Sequence, residues 1–255
     1  MNEEVMSMEK QCLRLIDSPR KTASFLGGRP FVGQNIDWPY RHDEPLSFIA
    51  QLDLSELNHD KIISWLPDSG RILFFYDLED LGGWAVIYEN GTQPLFNLPM
   101  PEDIDPEHIV PSIKYVSPMC SYSYPHPQRV RTSDIGYSGT GYDYTEYYDY
   151  IQDKFGERPK HQVGGYPNPI QSDFMEKECQ LASGGVDCGD SKRASSDLAK
   201  KLKREKNDWR LLFQFDSDDD IKVMWGDLGM LYFWIRERDA KSLDFSNSWM
   251  ILQCY

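Results

Sequence analysis

"SFIAQLD", residues 47–53, decides the fold, because it is a short apolar run that carries a glutamine and an aspartate and returns later in the chain as "LLFQFD", residues 211–216. Both runs are four to eight residues of β-forming side chains bounded by Gly, Pro, Asp and Ser, which is the pattern of strands. Three further landmarks also occur twice, in the same order. Gly27-Gly28-Arg29-Pro30 precedes the first run, and "GRILFFYD" from Gly70 and "WAVIY" from Trp84 follow it. Gly164-Gly165-Tyr166-Pro167 precedes the second run, and "GMLYFWI" from Gly229 and "WMILQ" from Trp249 follow it. The copies keep nearly one spacing from Gln51/Gln214 to Trp84/Trp249, and an insertion at about 172–207 accounts for the longer gap behind the second glycine turn.

The pattern predicts a mainly β (α+β) protein: internally duplicated antiparallel β units, about 24–90 and 161–253, packed as one body across residues 1–255. Each copy places a Gly-containing polar turn just before a strand, as hairpins require. A few peripheral helices are expected. Val5, Met8, Cys12 and Leu15 share one helical face and must stop before Ser18-Pro19. "QSDFMEKECQLAS" and "SSDLAKKLKREK" are short candidates inside the insertion. From an Asp143 cap, Tyr144, Tyr147, Tyr148, Ile151 and Phe155 fall at helical spacing, and Gly156 and Pro159 end that run. The stretch 184–206 offers little to bury and is expected to be the most mobile.

Composition narrows the function. The chain has 255 residues, 40% of them hydrophobic, which suffices for a sizeable core. No run approaches the apolar length of a membrane span, and the acidic start does not resemble a signal peptide, so a cytoplasmic protein is expected. The five cysteines are odd in number and lack zinc spacing. A net charge of −14 repels phosphate backbones, so nucleic acid is not an expected partner, and the same charge suits a basic protein.

No constellation for catalysis, metal or cofactor stands out. "GYSGT" at 136–140 lacks the second glycine of a nucleophile elbow, and the histidines are scattered. Asp216, Asp218 and Asp220 have the first spacings of a calcium loop, but Ile221 replaces its glycine and Asp227 its final glutamate. The first glycine turn is not a phosphate loop, since Pro30 removes an amide a cradle would use. If a ligand site exists, Arg29 supplies an anion contact and Trp38, Tyr40, Tyr166 and Trp225 supply walls in a groove between the copies. Gln51, Asp53, Gln214 and Asp216 are structural: Gln51 and Gln214 are expected to hold the backbone of the two glycine turns, because unpaired buried polar groups are costly. Strict alternation puts Ile49, Gln51 and Asp53 on one face and Phe48, Ala50 and Leu52 on the other.

"SFLGGRPFVGQNIDWP", "PLSFIAQLDLSEL", "LPDSGRILFFYD", "GGYPNPIQ", "LLFQFDSDDD", "MWGDLGMLYFWI" and "DFSNSWMILQCY" together resemble the YwqG family of bacterial proteins of uncharacterised function, from about Ser24 to Tyr255. The resemblance implies a mainly β fold and no particular activity. Members of the family are sometimes associated with toxin and immunity genes; together with the missing catalytic constellation and the net charge, this leads to the expectation of a non-catalytic, partner-binding protein of immunity type. A small-molecule binder or enzyme with a site between the copies is the alternative.

Overall fold

The structure is a computed structural model that describes residues 7–79, 82–91, 94–130 and 145–255. Ten strands form one antiparallel sheet: β1 (Lys10–Asp17), β2 (Phe25–Leu26), β3 (Ser47–Asp53), β4 (Arg71–Tyr76), β5 (Trp84–Glu89), β6 (Lys114–Ser123), β7 (Gln162–Val163), β8 (Trp209–Asp216), β9 (Met230–Arg236) and β10 (Trp249–Gln253). Across the sheet the order is β10-β9-β8-β7-β1-β6-β2-β3-β4-β5. The antiparallel pair β1·β6 is therefore central. The first half, β2 to β5, runs outward from it in the same order as the second half, β7 to β10. The sheet curls until its two edges meet through side chains. Trp84 of β5 and Trp249 of β10 pack edge to face at 5.0 Å, and the Trp84 indole donates to Ser248 O at 3.2 Å.

Both faces of the inner strands are covered, which is why they read as nearly continuous apolar runs. On the inside the halves share one cluster, in which Phe74 lies 4.9 Å from Phe213 and 5.0 Å from Phe233. Outside, Phe48, Leu73 and Phe75 of the first half are covered by Val32, Leu46 and Leu98. Leu211, Tyr232 and Trp234 of the second half are covered by Met175 and Cys179, from the helix Met175–Ala182.

Strict alternation along β3 and β8 fails, for one cause in both. The register with the neighbouring strand slips between Phe48 and Ala50, and likewise between Leu211 and Phe213. The extra residues, Ile49 and Leu212, join the inner cluster beside Ala50 and Phe213, while Phe48 and Leu211 face outward. A bulge inserts one residue and so flips the faces of all that precede it. Gln51 and Asp53 thus fall on the outer side with Phe48, not with Ile49.

The bulges aim two buried glutamines at matching targets. Gln51 Oε1 accepts from Phe31 N–H at 2.8 Å and its Nε2 donates to Ala23 O at 2.9 Å. Gln214 Oε1 accepts from Asn168 N–H at 2.8 Å and its Nε2 donates to Lys160 O at 2.7 Å. In each half the bridged groups lie four residues before the first turn glycine and three after the second. The amide thus ties the two ends of the glycine turn together instead of serving the glycines, and three of the four turn N–H groups are spent elsewhere. Gly27 donates to Ile49 O, Gly28 to Val110 O and Gly164 to Leu211 O. Gln51→Leu or Gln214→Leu is expected to lower stability by about 1–3 kcal/mol, because the abandoned backbone groups stay buried. Urea unfolding of the two variants against the parent measures it.

The N-terminal segment is the strand β1, not a helix. Leu13 and Leu15 are buried while Ile16 is exposed, and all eight residues pair with β6 from Lys10↔Ser123 to Asp17↔Val116. Helical spacing between Cys12 and Leu15 was coincident with a period-two pattern, and sheet pairing prevailed. Val5 lies outside the described residues, as do "GYSGT", Asp143 and Tyr144. The tyrosine-rich helix spans Thr145–Phe155, with Tyr147 and Ile151 buried, Tyr148 exposed, and Gly156 leaving it at φ 74°. Within the insertion, Val186 and Ala199 are buried with Leu181 against Leu202, so the stretch 184–206 does have apolar groups to bury.

Candidate functional site

Two grooves open at the two glycine turns, one in each half. The larger, about 810 Å³, lies at Gly165-Tyr166 and is walled on its far side by Ile62, Ile63 and Trp65 from the first half. Its volume falls in the range of small-molecule sites. Its lining has five basic residues, Lys10, Arg129, Lys177, Lys206 and Arg210, against two acidic ones, Asp173 and Glu176. On a chain of net charge −14 this is a local reversal of sign.

The acidic pair is consumed within the site. Arg129 donates through Nε and Nη2 to Asp173, and through Nη1 and Nη2 to Glu176 at 2.7 and 2.8 Å. Two forked pairs fix the guanidinium and leave it no free edge for a ligand. Burial nonetheless pushes the Asp173 carboxyl upward against the pull of Arg129. Lys10, at the start of β1, has its ammonium 4.0 Å from the centroid of the Tyr166 ring and makes no ion pair with a carboxylate among the described residues. Burial first, and the Arg129 charge next, push its pKa down. An ammonium held over an aromatic face and beside another cation is stabilised by an arriving anion.

His126 borders this cluster through Arg129. It caps the turn Pro127–Arg129 by accepting from Gln128 N–H at 3.3 Å. Burial, then the Arg129 charge, pushes its pKa down to about 4 from 6.5. The unfolded chain takes up a proton there between those values and the folded chain does not, so stability falls as pH drops from about 6.5 toward 4. Melting temperatures of His126→Asn, which keeps a capping acceptor, are expected to fall less steeply over that interval.

The sequence-derived candidates are not brought together. Tyr166 lines the larger groove. Arg29 lines the smaller one. Trp38 is a packing residue, its indole donating to Leu46 O at 2.8 Å and its ring set edge-on to Phe75 at 5.2 Å. Trp225 is buried in the inner cluster against Phe215 and Tyr76. Tyr40 is exposed on a two-residue ribbon and donates to Asp103 at 3.0 Å. Asp216, Asp218 and Asp220 do not converge as a calcium loop: Asp216 is paired with Arg158, and Asp218 and Asp220 with Lys114 at 2.8 and 2.7 Å. Among the described residues no group of three or more His, Cys, Asp or Glu is arranged to hold a metal ion. None of the five cysteines forms a disulfide. Lys10, Arg129, Asp173 and Glu176 escaped the sequence reading because they come from three separate segments with no shared motif.

A curled, mainly β sheet with two halves and a groove at each glycine turn is the class of protein this chain represents. Residues 24–254 match the family described as Domain of unknown function (DUF1963), and the chain belongs to that family. No curated protein sequence matches it. Among the described residues no helix is long and apolar enough to cross a membrane.

Proposed function

We propose that the protein is a binding protein of the YwqG type, acting in the cytoplasm, and that its site is the groove between the halves at Gly165-Tyr166. The observation that carries this is Lys10, whose ammonium lies over the Tyr166 ring without a carboxylate partner among the described residues, inside a lining where bases outnumber acids. Such a site takes an acidic group, in a small ligand with an aromatic or apolar body that Trp65 and Tyr166 can contact. The basic protein partner suggested by net charge belongs to the acidic remainder of the surface, and an immunity-type role would run through that face. We further propose that the halves arose by duplication, which the matched registers, bulges and glutamine bridges support.

The test is thermal denaturation with a panel of di- and tricarboxylates and nucleoside phosphates. A ligand at a hundred times its Kd stabilises by about 2.7 kcal/mol. At least one compound is expected to raise the melting temperature of the parent and to lose that effect in Lys10→Glu. A panel without effect, or equal shifts in Lys10→Glu, counts against the groove.

A further inference from the structure

The smaller groove, about 650 Å³ at Gly28-Arg29, has a different chemistry. Phe25, Phe31, Ile109, Ile113 and Tyr115 line it, Lys21 and Arg29 are its only charged residues, and no acidic side chain is among its lining. Ile113 is half exposed, a large aliphatic side chain left against open space, and it also sits beside the turn, where a Cβ on Gly28 would come within 2.5 Å of it. Arg29 and Lys21 are exposed and make no ion pair among the described residues. In a chain with 41 acidic residues against 27 basic ones, an apolar groove with two unpaired cations and no carboxylate has a definite complement. It needs an apolar body, which gains by leaving water, and one anionic head at the rim. The turn amides cannot hold that head, since Gly27 and Gly28 donate to Ile49 and Val110.

We propose that this groove is a binding site for a monomeric anionic amphiphile, an aliphatic chain ending in one carboxylate, with Ile113 and Phe31 against the chain and Arg29 with Lys21 at the head. It is a separate site from the groove at Tyr166, and its chemistry is independent of the reading given to that one.

The experiment is isothermal titration of the full chain with sodium decanoate below its micelle concentration. The parent is expected to bind one decanoate, at least tenfold tighter than decyltrimethylammonium. Arg29→Glu is expected to weaken decanoate at least tenfold, Ile113→Glu to abolish it, and Lys10→Glu, in the other groove, to leave it unchanged. Both positions are exposed, so melting curves close to the parent's confirm that the variants fold. Absence of decanoate binding by the parent, equal binding of the cationic analogue, or binding indifferent to both variants overturns the proposal. So does co-flotation with phosphatidylglycerol vesicles that Arg29→Glu abolishes while free decanoate fails to bind, since the surface is then a membrane contact.

Discussion

Arg71→Met is expected to lower stability by about 3–5 kcal/mol, and adding Glu89→Gln to restore most of that loss. Arg71 of β4 stands between two carboxylates, with Nε 3.3 Å from Asp53 and Nη1 2.9 Å from Glu89, and Glu89 is fully buried. Removing the cation alone strands a buried anion, the costly case. The second half shows the compensated form. In the sheet register Asp53 faces Arg71 and Arg71 faces Glu89, while Asp216 faces Met230 and Met230 faces Gln253. There the charge pair is absent on both sides. Gln253 Oε1 still accepts from the Ile170 and Gln171 amides at 3.0 Å, as Glu89 Oε1 accepts from Gly33 and Gly91 at 3.2 and 2.6 Å. The remaining aspartates keep other partners: Asp53 caps Ser55 and Glu56, and Asp216 is paired with Arg158. Denaturant unfolding of the single and double variants measures the coupling, and a double variant no more stable than Arg71→Met contradicts the account.

The second large effect separates two glycines at the same place in the two halves. Gly27 and Gly164 have φ of 68° and 70°. That left-handed backbone costs an alanine about 1–2 kcal/mol. Space then divides them. A Cβ on Gly27 would lie 2.1 Å from Ser112 O, a backbone atom, whereas on Gly164 it would lie 2.6 Å from Ile63 Cδ1, the end of a side chain that can turn away. Gly27→Ala is therefore expected to cost about 4 kcal/mol or more, the range reserved for backbone clashes and buried defects, and Gly164→Ala about 1–2 kcal/mol, the cost of the left-handed backbone alone. Melting temperatures of the pair decide it, and equal losses would contradict the close approach of Val110 and Ser112 to the turn.

What could be read in the sequence were features that one segment specifies by itself. "RILFFY" and "MLYFWI" are β-forming all along, and the recurrence of Gly-Gly, Gln-x-Asp and Trp at matched places exposed two sets of strands. The misreadings were all decided by distant segments. β1 is a strand because β6 runs beside it, and Cys12 with Leu15 cannot announce that. The bulges at Ile49 and Leu212 depend on the facing strands and carry no local signal such as glycine. Trp38 and Trp225 read as ligand walls because aromatic side chains in a polar neighbourhood look exposed; in the fold each indole N–H finds a backbone carbonyl and the ring is packed. The groove at Tyr166 is assembled from residues around 10, 63, 129, 175 and 208, and only the folded chain brings them together.

Native mass spectrometry of the protein purified gently from its own cells, beside Lys10→Glu purified in the same way, tests the binding groove most directly. The account predicts an acidic small molecule bound to the parent at one per chain and missing from Lys10→Glu. A parent that carries no small molecule and instead captures one basic protein, equally well with Lys10→Glu, would contradict it and place the function on the acidic outer surface.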